Sequence, residues 1–344
     1  MRKTWTKKTL IASLGVGLAL VSNLAQAAIY DRKGNKIPDE AVNSPEVNWE
    51  LLSTEQGKHY NGIGLFEKED EGFCTAFFLN TNGDENAPAY AVTNGHCAVI
   101  PTFPEAEEII INHPSNMVFK LNYFVNAKAR VRPVRVRQVV YATMKGTDIT
   151  ILELDATFKQ LVKEGFVPLN IDSVPPSYGE LVKVIGVPGT GVKDSLRYLH
   201  KVVCEAGQSV NLKEDVYHWE NSVRHRCSTV GGMSGSPMIS VKTNRVVAIV
   251  NTGVNDDALA QPECSWNRPC EVSKNGRIST LPEENYAQRV SNIPSCFDKR
   301  GIFNLNIPSC SLEKPKGNVR DEVPPVRDTS SKETLSNQNQ KGFN

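Results

Sequence analysis

From residue 58 onward, short runs rich in β-branched and aromatic residues alternate with polar and turn-forming ones. The pattern predicts strands over 73–80, 89–94, 117–124, 130–141 and 148–154, then over 180–186, 197–212, 216–224, 237–241 and 245–251. Branched and aromatic side chains suit a pleated, half-buried surface, so we read strands throughout and no helix. A stretch over 168–178, with Pro175-Pro176 at its centre, reads as a linker and splits the strands into two similar groups. Many short, evenly spaced strands predict barrels or a sandwich.

The ends differ. Residues 1–8 are basic, 9–21 are apolar, and Ala25-Gln26-Ala27 follows as a cleavage site, so residues 1–27 read as an export signal. The apolar run is shorter than the about 20 residues that span a bilayer. No cysteine lies near the cleavage site to carry a lipid. The mature chain is expected to start at Ala28 and to be secreted or periplasmic. Residues 28–57 are polar and turn-rich, either a propeptide or an extended arm, with order expected from near Lys58. The tail over 312–344 has almost no apolar residue, so it cannot offset its ordering entropy and is expected to be disordered.

The length of 344 residues with 40% hydrophobic content supports one large domain or two modest ones. A net charge of +1 gives no reason to expect nucleic acid or an anionic membrane as partner. Eight cysteines, at 74, 97, 204, 227, 264, 270, 296 and 310, read as four disulfides in an exported chain. Zinc is the competing reading, weakened by the absence of any C-x-x-C pair. Lys128, Arg130, Arg132, Arg135 and Arg137 alternate with Val131, Val134 and Val136. That is a solvated strand face or, alternatively, an exosite for an acidic substrate.

Three short motifs carry chemistry. Thr93-Asn94-Gly95-His96-Cys97 follows the apolar Tyr90-Ala91-Val92, and Cys74 on the preceding strand is placed to bridge Cys97. Asp148 opens the apolar run Ile149 to Leu154. A carboxylate there is expensive to bury alone, and a histidine N–H would give it a partner. Gly231-Gly232-Met233-Ser234-Gly235-Ser236-Pro237 is a crowded small-residue turn that exposes a hydroxyl and aims backbone N–H groups at one point. Each motif alone has a structural explanation: a satisfied histidine, a turn aspartate, a tight turn. Together they stand in the order His96, Asp148, Ser234, unlike the chain orders of α/β-hydrolases or subtilisins.

On these residues the chain resembles the chymotrypsin-fold serine proteases, and more closely their bacterial trypsin-like and glutamyl-endopeptidase-like branch. Further matching pieces are Cys74-Thr75-Ala76-Phe77, Val184-Ile185-Gly186-Val187-Pro188 and Ala248-Ile249-Val250-Asn251-Thr252-Gly253. The resemblance covers 58–293. It implies an all-β fold of two perpendicular six-stranded antiparallel barrels, over about 58–165 and 179–293, joined by a linker over 166–178, with the active site in the cleft between them. It implies an exported serine endopeptidase in which Ser234 is the nucleophile, His96 the general base and acid, and Asp148 its orienter. Gly232 and Ser234 would supply the oxyanion hole, and Asn251, Thr252 and Gly253 would pair with the substrate backbone. Polypeptide substrates, a monomer, no membrane anchor, no metal and no cofactor go with it. A silent binding module, a zymogen held latent by residues 28–57, and an esterase on the same fold are the rival readings.

The departures matter. Met233 stands where relatives activated by N-terminal cleavage carry an aspartate that pairs with the new terminal ammonium, so a freed N-terminus is not expected to be needed. Ser228 matches the pocket base, which argues against a standard trypsin-type pocket. Val250 stands where the glutamate-specific branch has a histidine. Glu284 either lines the pocket wall and favours Lys or Arg, or is a surface loop residue. Cys204–Cys227 is a pairing found in that branch. Cys264–Cys270 would close a loop in an insertion over 254–284, and Cys296–Cys310 another in an extension over 294–311.

Overall fold

The computed structural model describes residues 49–68, 71–98, 103–254 and 258–315. The stretch read as an export signal (1–27), most of the stretch read as an arm or propeptide (28–57) and the tail beyond 315 lie outside them. A two-residue strand β1 (Glu50–Leu51) precedes the first group: β2 (Ile63–Lys68), β3 (Glu71–Leu79), β4 (Pro88–Thr93), β5 (Ile109–Pro114), β6 (Val118–Leu121), β7 (Arg132–Thr143) and β8 (Ile149–Thr157). A short helix α1 (Phe158–Lys163) follows, its first turn capped by the Thr157 hydroxyl, which accepts from Gln160 N at 3.1 Å. The second group is β9 (Leu181–Gly186), β10 (His200–Glu214), β11 (Tyr217–His225), β12 (Pro237–Ser240), β13 (Val246–Gly253), β14 (Cys270–Val272), β15 (Ile278–Ser279) and β16 (Asn285–Arg289).

Each group closes on itself. The first runs β7-β6-β2-β3-β4-β8 and returns to β7; the second runs β11-β16-β13-β12-β9-β10 and returns to β11. All these pairings are antiparallel, so the fold is two six-stranded barrels, and closure removes the edges that open sheets expose. β5 is added outside the first ring on β7, and β1 and β14 outside the second on β10. The linker passes between them, bridging Leu79 to Leu169 and Ile171 to Val246.

Alternation explains the strands that the sequence reveals. In β7, Val134 and Val136 point into the core while Arg135 and Arg137 face out. Those arginines pair with Asp155 and Glu153, and Arg132 pairs with Glu164. The basic face is therefore laced to neighbouring carboxylates, as a solvated strand face is. β16 escapes the pattern because it buries polar residues: Gln288 is fully buried, donating to Ser222 Oγ at 3.1 Å.

Two boundaries move. Ordered contacts already include Trp49, ahead of the limit expected near Lys58. Trp49 and Leu52 are buried, β1 pairs with β10, and Leu52 N donates to Leu199 O at 2.9 Å. Two large apolar anchors hold this stretch despite its turn-rich flanks. At the other end, Leu312 is buried and Tyr141 donates its hydroxyl to Glu313 O at 3.2 Å. The chain is thus attached to the first barrel beyond the expected limit at 311. The extension lies on the same barrel, with Phe297 edge-on to Tyr90 at 5.1 Å and Phe303 6.1 Å from Tyr141. Among the described residues no helix is long and apolar enough to cross a membrane.

Candidate active site

β4 ends at Thr93, and a 3-10 turn (Gly95–Cys97) carries His96 out of the barrel. Cys97 is bonded to Cys74 on β3, which pins the turn to the wall. Closing a loop of this size stabilises by about 3 kcal/mol. Gly95 leaves no room for a side chain: a Cβ would strike the Thr143 carbonyl and Asp148 Oδ1. That closeness lets one carboxylate serve both ends of His96.

Asp148 is fully buried at the mouth of β8. Its Oδ1 accepts the backbone N–H of His96 at 2.9 Å and its Oδ2 lies 2.6 Å from His96 Nδ1. Asn94 donates its side-chain amide to the Asp148 carbonyl at 2.8 Å. The carboxylate thus has the partners that a buried charge needs. It holds the proton on Nδ1, leaving Nε2 to accept one. Burial pulls the His96 imidazolium down, but the charge and hydrogen bond of Asp148, with the charge of Glu214, outweigh it and leave the group above its ordinary value.

Ser234 comes from the second barrel. Thr75 N on β3 donates to Ser234 O at 2.8 Å, and Thr75 O accepts from Thr93 Oγ1 at 2.8 Å. One residue therefore sets the serine turn against the strand that leads to His96. Ser234 Oγ is 3.5 Å from Asn251 O, the outer limit of a hydrogen bond. Among the described residues none joins it to His96, so the hydroxyl must turn from that carbonyl to reach the imidazole. Gly232 has φ +91°, and a Cβ there would collide with Gly189 N. Neither the Gly232 nor the Ser234 N–H donates to another described group.

Asn251, Thr252 and Gly253 end β13. β16 pairs with Thr252 and Gly253 on one side, but on the other β12 reaches no further than Ile249. That edge is open for a further strand. Of the residues expected in the pocket, Ser228 offers its carbonyl to Trp49 Nε1 at 2.7 Å. Glu284 is buried and accepts from Arg226 Nε at 2.8 Å. Beside it, Asn285 donates to Cys227 O at 2.8 Å and packs under Gly253.

The eight cysteines pair as Cys74–Cys97, Cys204–Cys227, Cys264–Cys270 and Cys296–Cys310. Cys74, His96 and Cys97 come close enough to suggest a metal site, as do Cys204, His225 and Cys227, but in both the sulfurs are bonded to each other and offer no thiolate.

Several neighbours of His96 carry no motif. Phe103 and Trp266 stack at 5.5 Å, each edge-on to the imidazole at 6.3 Å. Trp266 rides on the Cys264–Cys270 loop, which is tied to the end of β10 where Asn267 N donates to Glu214 Oε1 at 2.7 Å. Burial pushes the Glu214 carboxyl up to about 7. A lone glutamate and a tryptophan in a loop give no local signal, since only the fold brings them to the histidine.

A family model described as "Trypsin-like peptidase domain" matches residues 74–249. No curated protein sequence matches the chain. Among solved structures, the active form of a protease from M. tuberculosis is 15% identical, covering 81% of this chain and 90% of its own, with a TM-score of 0.43. The MamO protease domain from Magnetospirillum magneticum is 12% identical, covering 70% and 98%, with a TM-score of 0.43. The protease Anisep from Arthrobacter nicotinovorans is 15% identical, covering 67% and 90%, with a TM-score of 0.41.

Proposed function

Because the chain belongs to the trypsin-like peptidase domain family, we propose that it cleaves polypeptides through an acyl-enzyme on Ser234. The observation that carries this reading is the buried Asp148 carboxylate, which grips His96 at both Nδ1 and the backbone N–H. With Nδ1 holding its proton, His96 Nε2 takes the Ser234 proton as Oγ adds to the substrate carbonyl. The Gly232 and Ser234 N–H groups face the oxygen as it gains charge. His96 returns the proton to the departing amine, and a water then attacks the ester by the same route. The open edge at Asn251–Gly253 holds the substrate backbone as an added strand. Four disulfides support an exported enzyme acting in an oxidising compartment.

Fluorophosphonate labelling of the mature chain tests the nucleophile. Wild type is expected to label at Ser234 and Ser234→Ala to take no label. Labelling of the alanine variant, or none of wild type from pH 6 to 9, sinks the reading.

The pocket is where this chain goes its own way. Glu284 faces the largely exposed Arg226, so its charge is already matched. Such a pair is weak, and a substrate cation competes with it. Arg226→Ala is therefore expected to raise kcat/KM for peptides with Lys or Arg before the scissile bond by about three- to fivefold over those with Ala. An unchanged ratio places Glu284 outside the pocket.

A further inference from the structure

The 227–234 turn must keep two backbone N–H groups aimed outward, yet its glycine pair gives it little stiffness of its own. Its bracing is visible. Gly189 N and Thr190 N donate to Gly231 O at 2.7 and 3.2 Å, Met233 N to Val230 O at 3.0 Å, and Thr75 Oγ1 to Gly232 O at 3.2 Å. A further brace comes from the far end of the chain. Trp49 is buried and donates its indole N–H to Ser228 O at 2.7 Å, across 179 residues. Its ring shares one apolar cluster with Cys227, Met233 and Val192, and tilts against His200 at 5.4 Å. Burial pulls His200 down to about 4, so it meets the indole as a neutral ring. Glu50 and Leu51 pair with Lys201 and His200, fixing the angle at which Trp49 enters.

Resting on the hydrolytic reading of Ser234, we propose that Trp49 is a positioning residue whose indole, wedged under the 227–234 turn, holds the Gly232 and Ser234 N–H groups in line. An internal side chain docks there, next to an uncharged Met233, so no new chain terminus is required. A deletion that probes the arm must stop before Trp49, because removing residues 28–57 whole takes the wedge away with it.

The test uses the full mature chain with Trp49→Ala and Trp49→Phe, an amide substrate and a peptide boronate, whose tetrahedral adduct places an oxygen against those N–H groups. For Trp49→Ala, kcat is expected to fall roughly 10- to 100-fold with KM within about threefold, and boronate affinity to fall in step. Free indole, filling the space left, is expected to restore part of kcat. A folded Trp49→Ala with kcat within about twofold of wild type, or with lost kcat but unchanged boronate affinity, overturns the proposal. If the alanine variant does not fold, Trp49→Phe decides by the same two readouts, with a smaller parallel loss expected and wild-type values overturning it. A wild-type chain that neither labels nor hydrolyses overturns the reading of Ser234, and this inference with it.

Discussion

Ser234→Ala is expected to lower kcat on a peptide substrate by about 10⁵- to 10⁶-fold, because removing a nucleophile removes the covalent route altogether. At about 1.36 kcal/mol per decade, that is roughly 7–8 kcal/mol of transition-state stabilisation. Stability should hardly change. Among the described residues the lost hydroxyl makes only the 3.5 Å contact to Asn251 O, while the backbone contact of Ser234 O with Thr75 N remains. A thermal melt beside a steady-state assay separates the two effects. A variant that keeps more than about one-hundredth of wild-type kcat would show that the nucleophile is elsewhere.

The second large effect belongs to Asp148→Asn, for which kcat should fall about 10⁴-fold at neutral pH. The carboxylate now accepts from two donors, His96 N and Nδ1–H. An amide has one acceptor oxygen, so its NH₂ must face one of the two. If it faces Nδ1, the ring proton moves to Nε2, the nitrogen that must receive the Ser234 proton. The pH profile carries a separate signature. His96 works as a base only when neutral, and Asp148 holds its pKa above the ordinary value, so wild-type activity falls as pH drops through that raised value. Without the Asp148 charge the imidazolium is less favoured, and the acid limb of kcat/KM moves to lower pH. Glu214, pushed up to about 7 by burial, contributes to the rise at His96 and adds its own charge change to the profile. A limb that stays in place or moves upward contradicts the role given to Asp148.

The residues that were legible in the sequence are those whose chemistry is local. His96, Asp148 and Ser234 each sit at a strand end or tight turn that alone has a structural explanation, and it is their order along the chain that narrows the fold. The alternation in β7 is similarly plain. What was hidden is what the fold assembles from a distance. Trp49 reads as one apolar residue in a polar arm until β1 is seen beside β10. Glu214 and Trp266 lie 52 residues apart and meet only through a hairpin and a disulfide loop that share one end of the second barrel. β16 is concealed by burying glutamine and asparagine, whose hydrogen bonds replace the apolar contacts that a pattern search expects. Glu284 was legible as a candidate, but its partner Arg226 was not.

Thr75 has a consequence for the life of the chain before it is finished. All its polar groups are engaged, with Ser234 O, Thr93 Oγ1, Gly232 O and Val187 N, and three of these four partners belong to the other barrel. The first barrel contains both His96 and Asp148, so their pair is complete once that barrel has closed. It has nothing to activate until the second barrel docks onto Thr75. On the proposed function, a chain whose second barrel has not yet docked onto Thr75 is harmless to itself and to its neighbours, and its ability to cut arrives only when the two barrels meet.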